Sequence, residues 1–177
     1  MTACTLTAGR VHTVIESPVG PITLVASGGV LTGLYLDRQR HAPHPESFGE
    51  TTDTSHEPFS EAARQLEDYF DGKRTEFDVP LRLAGTPFQR RVWAALAEIP
   101  YGETASYGQL AGRIGQPTAA RAVGLANGRN PVAIIVPCHR VVGSDGSLTG
   151  YGGGLERKQY LLAFERRIKA LLGRASA

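Results

Sequence analysis

The stretch TPFQRRVWAALAEIPYGETASYGQLAGRIGQPTAARAVGLAN, Thr86 to Asn127, decides how this chain folds. Thr86 is a good N-cap, Pro87 suits a first helical turn, and Gln89 completes a capping box. Phe88, Val92, Ala95, Leu96 and Ile99 fall on one side, so a helix is predicted that Pro100-Tyr101-Gly102 ends. Ser106-Tyr107-Gly108-Gln109 repeats the box and opens a short helix to about Arg113. Gly115 turns the chain, and Pro117 opens a third helix to about Asn127. Two short helices joined at a glycine are the helix-turn-helix pattern. A helical hairpin buried in a core is the plainer alternative. The small Ala119, Ala120 and Ala122 favour close approach to a duplex.

Downstream, Ala133 to Val136 is predicted as a short buried strand delivering Pro137-Cys138-His139-Arg140 and then Val141-Val142. Gly143 to Gly154 is a glycine-rich loop containing Tyr151. A last helix is predicted from Leu155 to Leu172, with Leu161, Phe164, Ile168 and Leu171 facing inward. Upstream, Val11–Glu16, Ile22–Ala26 and Val30–Leu36 are strand-like and separated by turn residues, an antiparallel meander. Residues 38–58, polar from His41 to Pro58, are expected as a mobile surface loop. Phe59 to Phe70 has helical spacing with Gly72 as its stop, and Phe77 to Leu83 is expected to be extended. The chain thus divides near Ala84-Gly85. Residues 1–84 form a small α+β domain, and residues 85–177 form a helix-turn-helix domain of winged-helix type.

Charge follows the same division. Residues 1–84 carry seven Lys/Arg against twelve Asp/Glu, and residues 85–177 carry twelve against five. A basic half suggests a polyanionic partner. No apolar run approaches the roughly 20 residues needed to span a bilayer. Met1 to Arg10 has no apolar segment like that of a secretory signal, so a cytoplasmic setting is expected. The two cysteines, Cys4 and Cys138, make no disulfide framework, and a reducing compartment suits a free thiol.

A nucleophilic sulfur must be ionisable, positioned and reachable. A strand ending at Pro137 would fix Cys138 on rigid backbone. Neighbouring strand residues point to opposite sides, so His139 serves the thiol only if the chain turns at Pro137-Cys138. A Cys-His pair alone is equally an inert core cysteine beside a satisfied histidine. Glu165 alone is an ordinary helix carboxylate.

Val136-Pro137-Cys138-His139-Arg140-Val141-Val142 resembles the active-site signature of the methylated-DNA–protein-cysteine methyltransferases, or 6-O-methylguanine-DNA methyltransferases. Pro100 to Thr104 and Ser106 to Ala111 resemble that family's helix-turn-helix entry. Ala119 to Gly124 resembles its recognition helix. Asn130-Pro131, Thr149 to Leu155 and Lys158 to Glu165 follow in the family's order. The resemblance implies a ribonuclease H-like α+β N-terminal domain. It also implies irreversible, single-turnover transfer of an alkyl group to Cys138 from 6-O-alkylguanine, extending to 4-O-alkylthymine. His139 would take the thiol proton through a water, and Glu165 would orient His139. Asn130 would brace the turn, and Tyr107 would donate a proton toward the departing guanine. Tyr151 would wall the base pocket, with the backbone of Val141 and Gly152 reading the guanine edge. Arg121 would fill the space left by a flipped base. Ser106, Ala119, Ala120 and Arg140 complete the DNA- and substrate-facing set. The implied partner is double-stranded DNA, with no membrane, no cofactor and no metal, bound by a monomer with scope for cooperativity.

Position 152 is Gly where many relatives carry Ser, which implies a lost hydrogen bond and a roomier pocket. Cys4 is the one cysteine of the first half, so the two-Cys, two-His zinc site of some relatives is not expected. Two other classes fit part of the pattern. A winged-helix regulator explains the charge but not the Pro-Cys-His-Arg run with Glu165. A Cys-His hydrolase leaves the basic half unexplained. For the relay, Glu165→Gln is expected to slow transfer while leaving fold and DNA affinity nearly intact.

Overall fold

The computed structural model describes residues 9–176. Cys4 lies outside them. In the first half, β1 (Arg10–Ile15), β2 (Ile22–Ser27) and β3 (Val30–Leu36) form the expected antiparallel meander. Gly28 and Gly29 join β2 to β3 with φ of 59° and 77°, the left-handed pair that a two-residue hairpin of this twist needs. α1 (Phe59–Phe70) buries Phe59, Ala62, Leu66 and Tyr69 in a core shared with Ile22, Leu24, Leu31 and Leu34.

The segment expected as a mobile loop is tied down instead. Pro45–Phe48 forms a 3-10 turn, and β4 (Glu50–Thr51) adds to β1 in parallel, giving the sheet order β3-β2-β1-β4. Phe48 is buried and stacks on Tyr35 at 5.3 Å. One aromatic among polar neighbours has no periodicity, yet its apolar area is enough to anchor a short segment. Phe77 to Leu83 is no full strand. It makes one parallel bridge, Leu31 to Leu81, where Leu31 N–H donates to Pro80 and Arg82 N–H to Leu31. Pro80 has no N–H with which to extend the ladder.

In the second half, α2 (Pro87–Ala97) and α3 (Tyr107–Arg113) both start with complete capping boxes, from Thr86/Gln89 and Ser106/Gln109. α4 (Ala120–Gly128) begins three residues later than expected. Ala119 N–H bonds the Gln116 carbonyl at 2.9 Å, so Pro117 occupies a turn rather than a first helical position. Trp93, absent from the expected stripe of α2, is buried and donates to the Ala126 carbonyl at 2.9 Å, fastening α2 to α4. β5 (Ala105–Ser106) pairs in parallel with β6 (Val141–Val142) beside these helices. α5 (Leu155–Ala175) buries Leu161 and Phe164 as expected, but Leu171 is exposed. Every residue from Lys169 to Ser176 is exposed, so the inward stripe ends where the helix outruns the body.

The strand expected over Ala133–Val136 is a buried turn. Ile134 has φ of 69°, and Val136 N–H bonds back to Val132 at 3.0 Å. A short apolar run reads alike for a buried strand and a buried turn. Asn130 decides between them. Its amide donates to the Val136 carbonyl at 2.8 Å and its oxygen accepts from Val132 N–H at 3.0 Å, replacing a ladder. The turn hangs on β3, through Leu34 N–H to Pro131 at 2.9 Å and Ala133 N–H to Leu34 at 3.2 Å.

Candidate active site

Cys138 opens a 3-10 turn, Cys138–Arg140, directly after this braced segment. The turn is the condition under which His139 can serve the thiol. Cys138 is 5% exposed, and a small cavity joins it to Asn130, Tyr151 and Gly152. Gly128, Tyr151 and Gly152 also line an outer cleft of about 220 Å³ that includes Tyr107, Gly124 and Leu125. The sulfur therefore lies at the inner end of an opening beside α4.

His139 is fully buried. Its Nε2 lies 2.8 Å from Glu165 Oε1, and its Nδ1 has no partner among the described residues. Burial alone would raise the Glu165 carboxyl, but the hydrogen bonds and charges of His139 and Arg140 outweigh that and hold it well below the usual range. An ionised Glu165 can only accept, so Nε2 carries the ring proton and Nδ1 keeps its lone pair. Burial pushes the His139 pKa down against the pull of Glu165, which keeps the ring neutral. A neutral imidazole with one nitrogen unpaired is equipped to accept a proton.

Glu165 holds more than His139. Arg140 grips it with Nε and Nη2, each at 2.9 Å, and donates Nη1 to the Ile99 carbonyl at 2.7 Å. Arg140 is 6% exposed, so it is turned inward and does not face DNA or substrate as expected. Tyr69 reaches from α1 to donate to Glu165 Oε1 at 2.8 Å, and Gly102 N–H donates to Oε2 at 3.2 Å. Burial and the Glu165 charge push the Tyr69 hydroxyl well up, so it remains a donor.

Burial raises the Cys138 thiol, while Asn130, Lys158 and Tyr151 act the other way. The resting sulfur is therefore a thiol at neutral pH, and would need a base to react as a nucleophile. Lys158 has no exposed surface and donates to the Thr149 carbonyl at 2.8 Å. Burial brings its ammonium down to about 8, a shift that a charged Cys138 would oppose. Lys158 thus places positive charge near Cys138 and fastens the glycine-rich loop.

Neither Lys158 nor Tyr69 was singled out from the sequence. For Lys158 a signal existed. Lys158, Leu161, Leu162 and Glu165 are i, i+3, i+4 and i+7 on α5, so two charges share its apolar face. Tyr69 gave none, because its partner lies 96 residues away.

The remaining expected residues divide. Tyr107 lines the cleft and donates to the Thr149 carbonyl at 3.3 Å. Tyr151 closes the inner cavity, its buried hydroxyl unpartnered among the described residues. Arg121 is exposed on the first turn of α4, beside half-buried Ala119 and Ala120. Ser106 is committed to the α3 cap, its Oγ accepting from Gln109 N–H at 3.1 Å. Val141 is buried and paired with Ala105. The space beside Gly152 is not vacant. A Cβ there would lie 3.3 Å from the Arg40 carbonyl oxygen and 3.4 Å from Gln39 Cγ, so the missing side chain admits a backbone turn rather than enlarging the pocket.

Residues 87–167 match the DNA binding domain of 6-O-methylguanine DNA methyltransferase, and residues 11–83 match that family's ribonuclease-like domain. A methylated-DNA–protein-cysteine methyltransferase of Mycobacterium tuberculosis is 58% identical over 152 residues, covering 86% of this chain and 90% of that protein. One from Methanosarcina acetivorans is 51% identical over 155 residues, covering 87% and 97%. A Mycobacterium tuberculosis protein of this kind, solved in complex with DNA, superposes with a TM-score of 0.81 at 56% identity over 89% of this chain and 94% of that one.

Proposed function

The chain belongs to the 6-O-methylguanine DNA methyltransferase family, and we propose that Cys138 is the residue on which it carries out that family's direct-reversal repair of DNA. It is a methylated-DNA–protein-cysteine methyltransferase, and its partner is DNA. The observation that carries the site assignment is the buried Cys138–His139–Glu165 constellation, with His139 Nδ1 unpaired, at the inner end of the cleft beside α4.

The damaged guanine is flipped from the stack into the cleft at a cost of a few kcal/mol, less for a weakened pair. Tyr151 and the glycine-rich loop wall it there. His139 Nδ1 takes the Cys138 proton through a water, and Glu165 steadies the imidazolium. The thiolate attacks the alkyl carbon, a C–S bond forms, and the C–O bond to the base breaks. The electron pair stays on the guanine oxygen, and the base regains its proton. Tyr107 supplies that proton by releasing the Thr149 carbonyl for the guanine edge and is restored from the imidazolium. The thioether left on Cys138 is stable, so each molecule reacts once. Asn130 positions the turn, while Arg140, placed with the DNA-facing residues from sequence, acts through Glu165. Residues 1–84 serve as the supporting domain and residues 85–177 as the DNA-binding and acceptor domain. Among the described residues no helix is long and apolar enough to cross a membrane. The reducing cytoplasm suits an acceptor that works as a free thiol.

Incubation with duplex DNA carrying radiolabelled 6-O-methylguanine tests the reading. Label should move onto protein and saturate near one alkyl group per molecule. Many turnovers per molecule, or label on Cys4, would overturn it. A second expected result concerns Arg121. Replacing it with Ala should slow repair of duplex DNA roughly 10- to 100-fold, the scale of a few kcal/mol spent on flipping. Transfer from free 6-O-methylguanine should fall far less. Equal losses on the two substrates would show that Arg121 supports the pocket instead.

A further inference from the structure

The cleft beside α4 has a wall that the helix-turn-helix half does not supply. Arg40 and His41, from the turn after β3, line it together with Gly124, Leu125 and Arg129. The turn is fixed from both sides. Gln39 Oε1 accepts from Leu36 N–H at 3.0 Å, and Arg40 N–H donates to the Gly152 carbonyl at 2.7 Å. Arg157 of α5 donates one nitrogen to both the Asp37 carbonyl, at 2.6 Å, and the Gly153 carbonyl, at 3.1 Å. Arg38 and His41 hold φ of 55° and 63°, a conformation that costs non-glycine residues free energy and persists where surroundings impose it.

The same turn carries an unneutralised charge. The first half is acidic, and four of its seven cations lie beside a carboxylate, Arg38 next to Asp37 at 3.7 Å among them. Arg64 pairs with Glu61 and Asp68, Lys73 with Asp71, and Arg74 with Asp68 and Asp78. Arg40 is exposed and has no carboxylate or hydrogen-bond partner for its guanidinium among the described residues, and the same holds for Arg129 of the same cleft. Two unpaired guanidinium groups at one cleft, one from each half of the chain, suit an anionic partner there. A duplex lying along α4 brings its phosphates to this position.

Resting on the reading of the chain as a DNA alkyltransferase, we propose that the turn Arg38–His41 is a DNA-contacting element, in which Arg40 takes a backbone phosphate of the duplex at the mouth of the base pocket. The supporting half then takes part in binding. Its hydrogen bond to Gly152 ties phosphate engagement to the loop that walls the base.

Binding of an undamaged duplex oligonucleotide, measured by fluorescence anisotropy from 0.05 to 1 M salt in the full-length protein, tests this. One phosphate contact contributes a slope of about −0.9 to log K against log salt. Arg40→Ala should flatten the slope by about that amount, so binding is about eightfold weaker at 0.1 M salt and nearly equal to the parent at 1 M. Arg40→Lys should keep most of the parent slope. Arg82→Ala, which removes the same charge from the same half away from the cleft, should keep all of it. An unchanged slope for Arg40→Ala overturns the proposal. So does a loss equal at every salt concentration, which would place the effect on Gly152 and the loop. If the parent protein itself shows no salt-dependent binding, or takes no label from methylated DNA, the functional reading fails first.

Discussion

Cys138→Ser should leave no measurable alkyl transfer while duplex binding stays close to that of the parent. Removing the nucleophile of a catalytic unit slows reaction roughly 10⁴- to 10⁶-fold. Here the loss should sit at the upper end, because a serine hydroxyl ionises far less readily than a thiol. The fold should tolerate the change. The side chains are nearly the same size, and the turn around Cys138 is held by backbone and by Asn130, not by sulfur. The hydroxyl would enter a buried site that already contains the unpartnered Tyr151 hydroxyl, so it need not be left without a hydrogen bond. Single-turnover mixing with labelled DNA, followed by mass analysis of the peptide containing position 138, reads the chemistry. Anisotropy on the same oligonucleotide reads binding. Transfer retained at the parent rate would remove Cys138 from the reaction, and lost binding would show that the sulfur supports the DNA surface.

Local signals carried most of what the sequence disclosed. Both capping boxes, the glycine hairpin and the ends of α1 depend on residues a few positions apart, and these appear where the sequence put them. What stayed hidden depends on distant partners. Phe48 anchors its segment through Tyr35, the 132–136 run becomes a turn through Asn130 and β3, and Arg140 faces inward because Glu165 of α5 awaits it. In the candidate site, Cys138 and His139 were legible as a motif and their link to Glu165 followed from the resemblance, but the residues that hold Glu165 and surround the thiol did not. Tyr69 comes from the first half with nothing local to mark it, and Lys158 opens the Lys158–Glu165 segment but reads there only as part of the last helix.

Glu165→Gln should cost both rate and stability, which corrects the expectation that it leaves the fold nearly intact. Glu165 accepts from Tyr69, His139, Nε and Nη2 of Arg140, and Gly102. An amide offers one accepting oxygen, and its own N–H donors would face donors. Arg140 would be left buried without its counter-charge, a change that costs about 3–5 kcal/mol, or roughly 10 °C in melting temperature for a chain of this length. Transfer should slow by about 10²- to 10⁴-fold, the scale of general-base catalysis, since His139 loses the anion that steadies its protonated form. Adding Arg140→Met separates the effects. The stranded charge is gone, so much of the melting temperature should return, while transfer stays slow. Acid denaturation gives an independent check. Glu165 has a depressed pKa, so its stabilisation is full above the ordinary carboxyl value, about 4.5, and is lost as pH falls toward the folded value. His139 is also depressed, so the unfolded chain binds its proton first, and stability falls as pH drops below about 6.5. Both act in the same direction, and the parent should lose stability in two overlapping stages on acidification. Glu165→Gln should abolish the lower stage. A variant that melts like the parent at neutral pH and keeps the full acid response would mean that Glu165 does not hold Arg140 and His139 in solution as it does in the structure.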